Sequence, residues 1–106
     1  MKSPEIITRY FAAANRFDAS GAAECFTSDA RVHDEGHEHV GQDAVRAWVA
    51  ETSKKYQPKS EVIRAKVSGA KVALAVRISG HFPGSPIELD YEITLHDGKI
   101  SRLNIT

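Results

Sequence analysis

The strongest constraint on the fold of this chain is a change in hydrophobic period after Gln57-Pro58. Beyond these residues apolar and polar side chains alternate, which predicts strands with one buried face over 61–67, 72–78, 89–95 and 100–105. Ser68–Lys71 and His96–Lys99 are typical of tight turns between antiparallel strands. The residues predicted to face inward on the second and third of these strands are Val72, Leu74, Val76, Ile78, Leu89, Tyr91, Ile93 and Leu95.

A helix is predicted at the start of the chain. Ser3 is a favourable N-cap, and Pro4 suits the first helical position. Apolar residues then recur at spacings of three and four, so the helix should run to about Arg16. Its apolar stripe comprises Ile6, Ile7, Tyr10, Phe11, Ala14 and Phe17. Tyr10 lies in the middle of this stripe and should therefore point inward.

Two further helices are expected before the β-rich half. A short one is predicted over Ala22–Phe26, with Asp18 or Ser20 as its cap. A longer one is predicted over Gln42–Lys55, with an apolar stripe on one side and charged residues on the other. Trp48 lies in this stripe, where it should anchor the helix against the sheet or stack on a ligand.

One acidic residue between these helices is expected on an apolar face. The residues around it predict a strand that breaks at Gly36, and side chains alternate between the two faces of a strand. Ala30, Val32 and Asp34 therefore share the inward face. Because a buried carboxylate is costly, Asp34 needs an explanation. Either it accepts backbone hydrogen bonds where the strand ends, or it is a general base at the floor of a pocket.

The composition limits the class of protein. The 106 residues, 42% hydrophobic and 26% charged, are those of a single ordinary globular domain spanning 1–106. A net charge of zero argues against nucleic acid as a partner. No apolar run has the length of a membrane span or of a signal peptide core, so no membrane association is expected. The lone Cys25 should be a small buried hydrophobe and fits a reducing, cytoplasmic location.

This order of elements predicts an α+β domain in which helices cover one face of a strongly curved antiparallel sheet. Such a sheet, wrapped around the N-terminal helices, forms a cone with an open end that suits a small molecule. The outer face of the sheet stays partly uncovered, and we expect it to pair two copies as a homodimer. The side chains expected to contact the ligand are Phe11, Phe17, Trp48, Phe82 and, if the Pro-rich loop folds over the cone, His81.

Several stretches of the chain carry a resemblance to a known family. They are Arg9–Asn15, Asp18, Phe26, Asp29-Ala30, Val32, Asp34, Gly41, Ala44, Val45, Trp48, Phe82–Pro86 and Leu95–Ile100. At these positions, which span nearly the whole chain, the sequence resembles the nuclear transport factor 2-like superfamily. Within that superfamily it is most similar to the SnoaL-like polyketide cyclases and the ketosteroid isomerases. The resemblance implies a cystatin-like, nuclear transport factor 2-like α+β barrel that is cone-shaped.

The same resemblance implies roles for three residues. Ketosteroid isomerases have an oxyanion-binding Tyr in the first helix and a proton-transferring Asp at the end of the first strand, which correspond to Tyr10 and Asp34. Their third member, a protonated Asp, corresponds to Tyr91, while Asp90 should point outward. This departure weakens the case for a steroid substrate.

Three functional hypotheses follow. In the first, the protein is a cofactor-free isomerase, cyclase or dehydratase that acts on a small apolar carbonyl compound. Asp34 is then the base, Tyr10 the oxyanion donor and Tyr91 or His81 an auxiliary group. In the second, the same pocket belongs to a non-catalytic ligand-binding or dimerisation module. A metal site among residues 33–39 is the third, but its spacing is not that of a zinc motif, and we predict no metal and no cofactor.

Overall fold

The computed structural model describes residues 4–106. Within them the chain forms the helices α1 (Glu5–Asn15), α2 (Ala19–Ala23) and α3 (Gln42–Tyr56). The strands are β1 (Phe26–Asp34), β2 (His37–Val40), β3 (Lys59–Ser68), β4 (Lys71–Ser79), β5 (Ile87–His96) and β6 (Lys99–Ile105). The predicted α+β class is confirmed. The four strands predicted after residue 57 are present, each extending slightly beyond its predicted bounds.

Helix α1 carries the predicted apolar stripe but is slightly shorter than predicted. It begins at Glu5, with Pro4 in the N-cap position, and the predicted cap Ser3 lies outside the described residues. The helix ends at Asn15 because Phe17 adopts a φ of 61°, a left-handed conformation that terminates helices. Phe17 therefore leaves the stripe and is 40% exposed. The stripe residues that are buried are Ile6, Ile7, Tyr10 and Phe11.

Helix α2 corrects the predicted bounds of the second helix, because it begins and ends three residues earlier. Its cap is Asp18 rather than Ser20, since an oxygen of the Asp18 side chain accepts a hydrogen bond from the Gly21 N–H at 2.9 Å. Phe26 consequently starts β1 instead of ending the helix. Cys25, between the two elements, is only 2% exposed, in agreement with its expected role as a small buried side chain.

The strands form one curved, unclosed sheet in the order β2-β1-β6-β5-β4-β3. Strands β3 to β6 pair as antiparallel neighbours, as predicted. Strands β1 and β6 pair in parallel, with Val32 opposite Leu103, so the sheet is mixed rather than wholly antiparallel. Pairing between strands so distant in sequence leaves no local signal, which is why alternation alone missed it.

Strand β2, His37–Val40, was not predicted, because the sequence indicated only a strand that breaks at Gly36. It pairs with β1 in antiparallel fashion, with Asp34 opposite His37. The two residues between the strands, Glu35 and Gly36, have φ values of 53° and 77°. Two left-handed residues in succession make a tight hairpin turn whose twist suits antiparallel strands. Asp34 therefore lies directly before a sharp reversal of the chain.

Helix α3 packs against β1 and β2 and completes the core. The Gln42 side chain donates hydrogen bonds to the Ala23 and Phe26 carbonyls, both at 3.1 Å, and so fixes the start of α3 beside the start of β1. The helix ends at Tyr56, one residue later than predicted, where Gln57 turns left-handed. Among residues 4–106 no helix has the length and apolar character needed to cross a membrane. The largest fully buried side chains include Ile7, Phe26, Val32, Ile93, Ile100 and Leu103.

Candidate functional site

A cavity of about 610 Å³ lies between the helices and the inner face of the sheet. Its polar residues include Tyr10, Asp34, Ser60 and Tyr91. Its apolar walls include Val49, Ile78, Leu89 and Ile105, and exposed side chains such as Glu35 and Ile87 stand at its mouth. Most of the surface is therefore apolar, with a few polar groups that converge, as in small-molecule sites.

Asp34 reaches the cavity because it ends an alternating strand. Val32, two residues earlier, is fully buried, whereas Arg31 and His33 are exposed on the other face of β1. The Asp34 side chain continues the inward face and lines the cavity, where it is half-buried. The direction predicted for this carboxylate from the sequence is the one observed.

One hydrogen-bond donor holds the Asp34 carboxylate. The indole nitrogen of Trp48 donates to Oδ2 at 3.2 Å. Burial raises the pKa of Asp34 above its ordinary value of 3.8, while the Trp48 hydrogen bond partly opposes the rise. The Glu35 charge raises the pKa further, and His39 lowers it. A raised pKa brings this carboxyl closer to the range in which a general base works at neutral pH.

Trp48 combines the two roles that its sequence position left open. It is 8% exposed and packs within the core cluster, so it anchors α3 as expected. It also lines the cavity and directs its N–H at Asp34. The His39 ring of β2 lies against it, with ring centroids 6.0 Å apart and planes inclined by 34°. Packing thus fixes the indole that positions the carboxylate.

Two buried tyrosines face the same cavity. Tyr10 is 4% exposed and its ring packs edge-on against those of Phe11 and Phe26, at centroid distances of 5.1 and 5.5 Å. Burial raises the pKa of Tyr10, and the nearby Tyr91 and Asp34 raise it further. Because a raised pKa keeps a phenol protonated throughout the neutral range, the Tyr10 hydroxyl is available as a hydrogen-bond donor.

Tyr91 of β5 has the inward direction predicted by alternation, and Asp90 is exposed. Tyr91 is 5% exposed and lines the cavity together with Tyr10 and Asp34. Burial raises its pKa, the Asp34 charge raises it again, and the nearby Ser60 side chain opposes the rise. Ser60 makes no comparable contribution to the pKa of Tyr10. The Asp34 carboxyl therefore shares the cavity with the neutral phenols of Tyr10 and Tyr91.

The mouth of the cavity contains a contact that sequence reasoning missed. The Tyr56 hydroxyl donates to Oε1 of Glu35 at 3.2 Å, which joins the end of α3 to the hairpin turn. Phe82 packs edge-on against the Tyr56 ring at 5.8 Å. Tyr56 follows Trp48 at twice the four-residue spacing, so extending the predicted helix by one residue would have placed both side chains on one face.

Three of the predicted ligand contacts lie elsewhere. Phe11 is buried but packs against Tyr10 and Tyr91 rather than lining the cavity. Phe17 is turned outward by its left-handed backbone, and Lys59 Nζ lies 4.6 Å from its ring centroid. His81 is exposed and does not line the cavity, although its backbone N–H donates to the Tyr56 carbonyl at 2.7 Å. Trp48 and Phe82 are the predicted contacts that do line it.

The structure also bears on the metal hypothesis for residues 33–39. Within residues 4–106, no group of three or more His, Cys, Asp or Glu side chains is arranged to hold a metal ion. His33 is exposed on the outer face of β1, whereas Asp34 faces the cavity. The strand alternation therefore separates the two residues that would have begun such a site.

Several solved structures share this fold. A candidate polyketide cyclase of Sinorhizobium meliloti is 38% identical, with a TM-score of 0.94 over 98% of this chain and 95% of that one. A Catenulispora acidiphila protein with a ketosteroid isomerase-like fold, in complex with trimethylamine, is 20% identical, with a TM-score of 0.88 over 99% and 86%. The epoxide hydrolase/cyclase-like enzyme of pyran-ring formation in salinomycin is 23% identical, with a TM-score of 0.82 over 95% and 86%.

The fold is also that of solved structures described as cystatin-like and nuclear transport factor 2-like. The family model for the SnoaL-like domain matches residues 7–103. The chain belongs to the SnoaL-like family, which confirms the resemblance inferred from the sequence. A comparison with curated protein sequences gave no match.

Proposed function

We propose that this protein is an enzyme of isomerase, cyclase or dehydratase type that moves a proton on a small, largely apolar carbonyl compound. The proposal depends on one observation: the half-buried Asp34, with its raised pKa, shares a cavity with the neutral phenols of Tyr10 and Tyr91. A base with a raised pKa and a preorganised donor are the two groups that enolisation requires. The Sinorhizobium meliloti relative, a candidate polyketide cyclase, supports the same class of chemistry.

The proposed reaction begins when the ionised Asp34 takes a proton from the carbon next to the carbonyl group. The electron pair of the broken C–H bond forms an enolate, whose oxygen accepts a hydrogen bond from Tyr10 or Tyr91. Asp34 then returns the proton to another carbon, which completes an isomerisation. Alternatively, the enolate carbon attacks a second carbonyl group and closes a ring, and Asp34 gives its proton to the alkoxide oxygen that forms. In a dehydration, the enolate instead expels a β-hydroxyl group, which leaves as water with the proton from Asp34. None of these steps needs a cofactor.

Proton exchange tests this proposal without knowledge of the natural substrate. Small cyclic ketones are incubated with the protein in D₂O, and deuterium at the carbon next to the carbonyl is measured by mass spectrometry. We expect exchange above the buffer rate with the wild type and a loss of that excess with Asp34→Asn. Asp90→Asn is the matched control, because Asp90 is an exposed acid outside the cavity. Equal exchange by wild type and Asp34→Asn would contradict the proposal.

A non-catalytic binding module is the alternative, and one observation favours it. Asp34 accepts a hydrogen bond from Trp48 of α3, as expected of a carboxylate that stabilises the packing at the end of a strand. In that case the excess exchange is absent in the wild type, and Asp34→Asn lowers the melting temperature. The two measurements together separate the alternatives.

Association of two copies through the outer face of the sheet remains a prediction. Salt bridges between exposed side chains lie on the strands there, at Arg64–Glu88 and Arg77–Glu61. Charges of both signs on one face allow it to be self-complementary. Light scattering at low and high salt tests this, and a mass of one chain at both would contradict it. A single domain and a cytoplasmic location likewise remain predictions.

A further inference from the structure

The charge of the cavity lining is of one sign. Among residues 4–106, Asp34 and Glu35 are the acidic side chains that line the cavity, and no Lys, Arg or His side chain lines it. The chain as a whole has no net charge, with 14 basic and 14 acidic residues, so the cavity lining is more acidic than the chain as a whole. A ligand that enters it therefore meets two acidic side chains and no basic side chain in the lining.

The side chains that donate hydrogen bonds to these two acids are neutral. Asp34 accepts from the Trp48 indole, and Glu35 accepts from the Tyr56 hydroxyl. The exposed Nζ of Lys55 lies 5.1 Å from the Tyr56 ring centroid, and Lys55 is outside the lining. His39 packs on Trp48 and does not line the cavity either. Neither basic residue occupies the ligand space.

Aromatic side chains provide the second half of the argument. The aromatic residues that line the cavity are Tyr10, Trp48, Tyr56, Phe82 and Tyr91. Aromatic faces carry negative electrostatic potential and attract organic cations, more strongly where water is excluded. We propose that the cavity selects ligands by charge: it binds carbonyl compounds that carry an organic ammonium group more tightly than uncharged ones and rejects those that carry a carboxylate, sulfonate or phosphate.

This inference rests on the proposed function, because it names the class of substrate for the same site. An ammonium group beside Asp34 gains attraction to the carboxylate and to the aromatic faces, and both effects act in a partly dry cavity. An anion meets repulsion from Asp34 and Glu35 and finds no basic side chain in the lining. An uncharged ketone experiences neither effect and should bind with intermediate affinity.

Three phenols of matched shape test the charge preference. 3-(Trimethylammonio)phenol, 3-tert-butylphenol and 3-hydroxybenzenesulfonate carry a tetrahedral substituent that is positive, neutral and negative, respectively. Trp48 is the single tryptophan of the chain, so its indole N–H gives one assigned NMR signal within the site. Titrations at pH 7 should show the cation binding about tenfold more tightly than the neutral phenol, and the sulfonate should leave the signal unchanged.

Variants identify the source of the preference. Asp34→Asn should bring the ratio of the cation affinity to the neutral affinity close to one, and Glu35→Gln should lower it partly. Asp90→Asn should leave the ratio unchanged, because this exposed acid does not line the cavity. Equal binding of the cation and the neutral phenol by the wild type, or binding of the sulfonate at the site, would overturn the inference. If Asp34→Asn fails to fold, the affinities of the three phenols for the wild type and for Glu35→Gln still test the inference.

The two proposals fail separately. Deuterium exchange on an uncharged ketone without any preference for the cation removes the charge-selection inference and leaves the enzyme proposal intact. A clear preference for the cation without deuterium exchange on any ketone removes the enzyme proposal and leaves the charge-selection inference intact. The charge-selective site then belongs to a binding protein.

Discussion

The indole nitrogen of Trp48 lies 3.2 Å from Oδ2 of Asp34, so a residue of α3 fixes a carboxylate at the end of β1. The hydrogen bond favours the ionised form, whereas burial favours the protonated form and prevails, because the pKa of Asp34 is raised. A carboxylate has about four lone-pair directions. The Trp48 N–H therefore leaves acceptor capacity on Asp34 for a proton from a ligand.

Replacing Asp34 by Asn should separate chemistry from stability. We expect the excess α-proton exchange to fall at least about 100-fold, because an amide cannot take the proton. The melting temperature at pH 7 should stay equal or rise, since Asn retains an oxygen that accepts from Trp48 and removes a half-buried charge. Mass spectrometry and thermal unfolding followed by circular dichroism measure the two quantities. A fall of many degrees, with Asp90→Asn unaffected, would instead assign Asp34 a structural role.

The raised pKa of Asp34 should also affect how the stability of the protein depends on pH. The folded protein holds the Asp34 proton more tightly than the unfolded chain does, so this stabilising contribution is complete below the ordinary pKa of 3.8. It is lost as the pH rises through the raised value in the folded state. Asp34→Asn should therefore become more stable relative to wild type as the pH rises from about 4 to 8. Urea unfolding midpoints measure the difference, and a gap that narrows over this range would contradict the raised pKa.

The comparison with the variant is needed because other carboxyls titrate in the opposite sense. A backbone hydrogen bond from Gly21 lowers the pKa of Asp18, and a hydrogen bond from Arg31 lowers that of Glu38. Their contributions to stability are present above their ordinary values and lost as the pH falls. Both groups are unchanged in Asp34→Asn, so the difference between the two proteins isolates Asp34.

Trp48→Phe should shift the pH profile of proton exchange. The indole N–H donates a hydrogen bond that lowers the pKa of Asp34, so its removal should raise this pKa. The increase in exchange rate with pH, which follows the ionisation of Asp34, should therefore occur at higher pH. Loss of a hydrogen bond to a charged acceptor should also lower stability by about 1.5–3 kcal/mol. The exchange rate measured as a function of pH tests the shift. A lower rate without any displacement of this increase along the pH axis would show that Trp48 acts through packing alone.

We expect the hydroxyl groups of Tyr10 and Tyr91 to contribute unequally to proton exchange. Tyr10→Phe should lower proton exchange by about 100-fold, the usual effect of losing one oxyanion donor. Tyr91→Phe should have a smaller effect, because the Tyr91 hydroxyl also interacts with the nearby Ser60 side chain. Either variant removes one oxygen and keeps the aromatic packing of the buried ring. Proton-exchange rates of the two variants, measured at one pH, test this order. A larger loss for Tyr91→Phe would show that Tyr91, and not Tyr10, is the main donor to the enolate oxygen.

The direction of the central side chains could be predicted because it depends on local periodicity. A strand has a period of two, so the inward positions of Asp34 and Tyr91 and the exposed position of Asp90 followed from their neighbours. The direction of Tyr10 followed in the same way from the helical period. Three residues of the site therefore lie where the pattern placed them, at one cavity.

The features that escaped prediction depend on single backbone angles or on distant pairing. Phe17 fits the apolar stripe, but a φ of 61° turns it out of the helix. Strand β2 has a polar sequence, and its pairing depends on the left-handed turn at Glu35-Gly36. The Glu35–Tyr56 hydrogen bond joins residues 21 positions apart and requires α3 to reach Tyr56. None of these three relationships is visible in a local hydrophobic pattern.

The close approach of two segments at the mouth gives the last prediction. A Cβ added at Gly80 would lie 2.6 Å from the Tyr56 carbonyl oxygen, so backbone would have to move. Gly80→Ala should cost about 1–3 kcal/mol of stability and weaken 3-tert-butylphenol binding, because Tyr56 and Phe82 line the mouth. Gly69→Ala is the control: it meets no atom within 4 Å, and its φ of 60° adds only backbone strain in a remote turn. Denaturant unfolding and the Trp48 NMR titration measure both effects; equal ligand affinity of the two variants would show that the Gly80 contact does not shape the cavity.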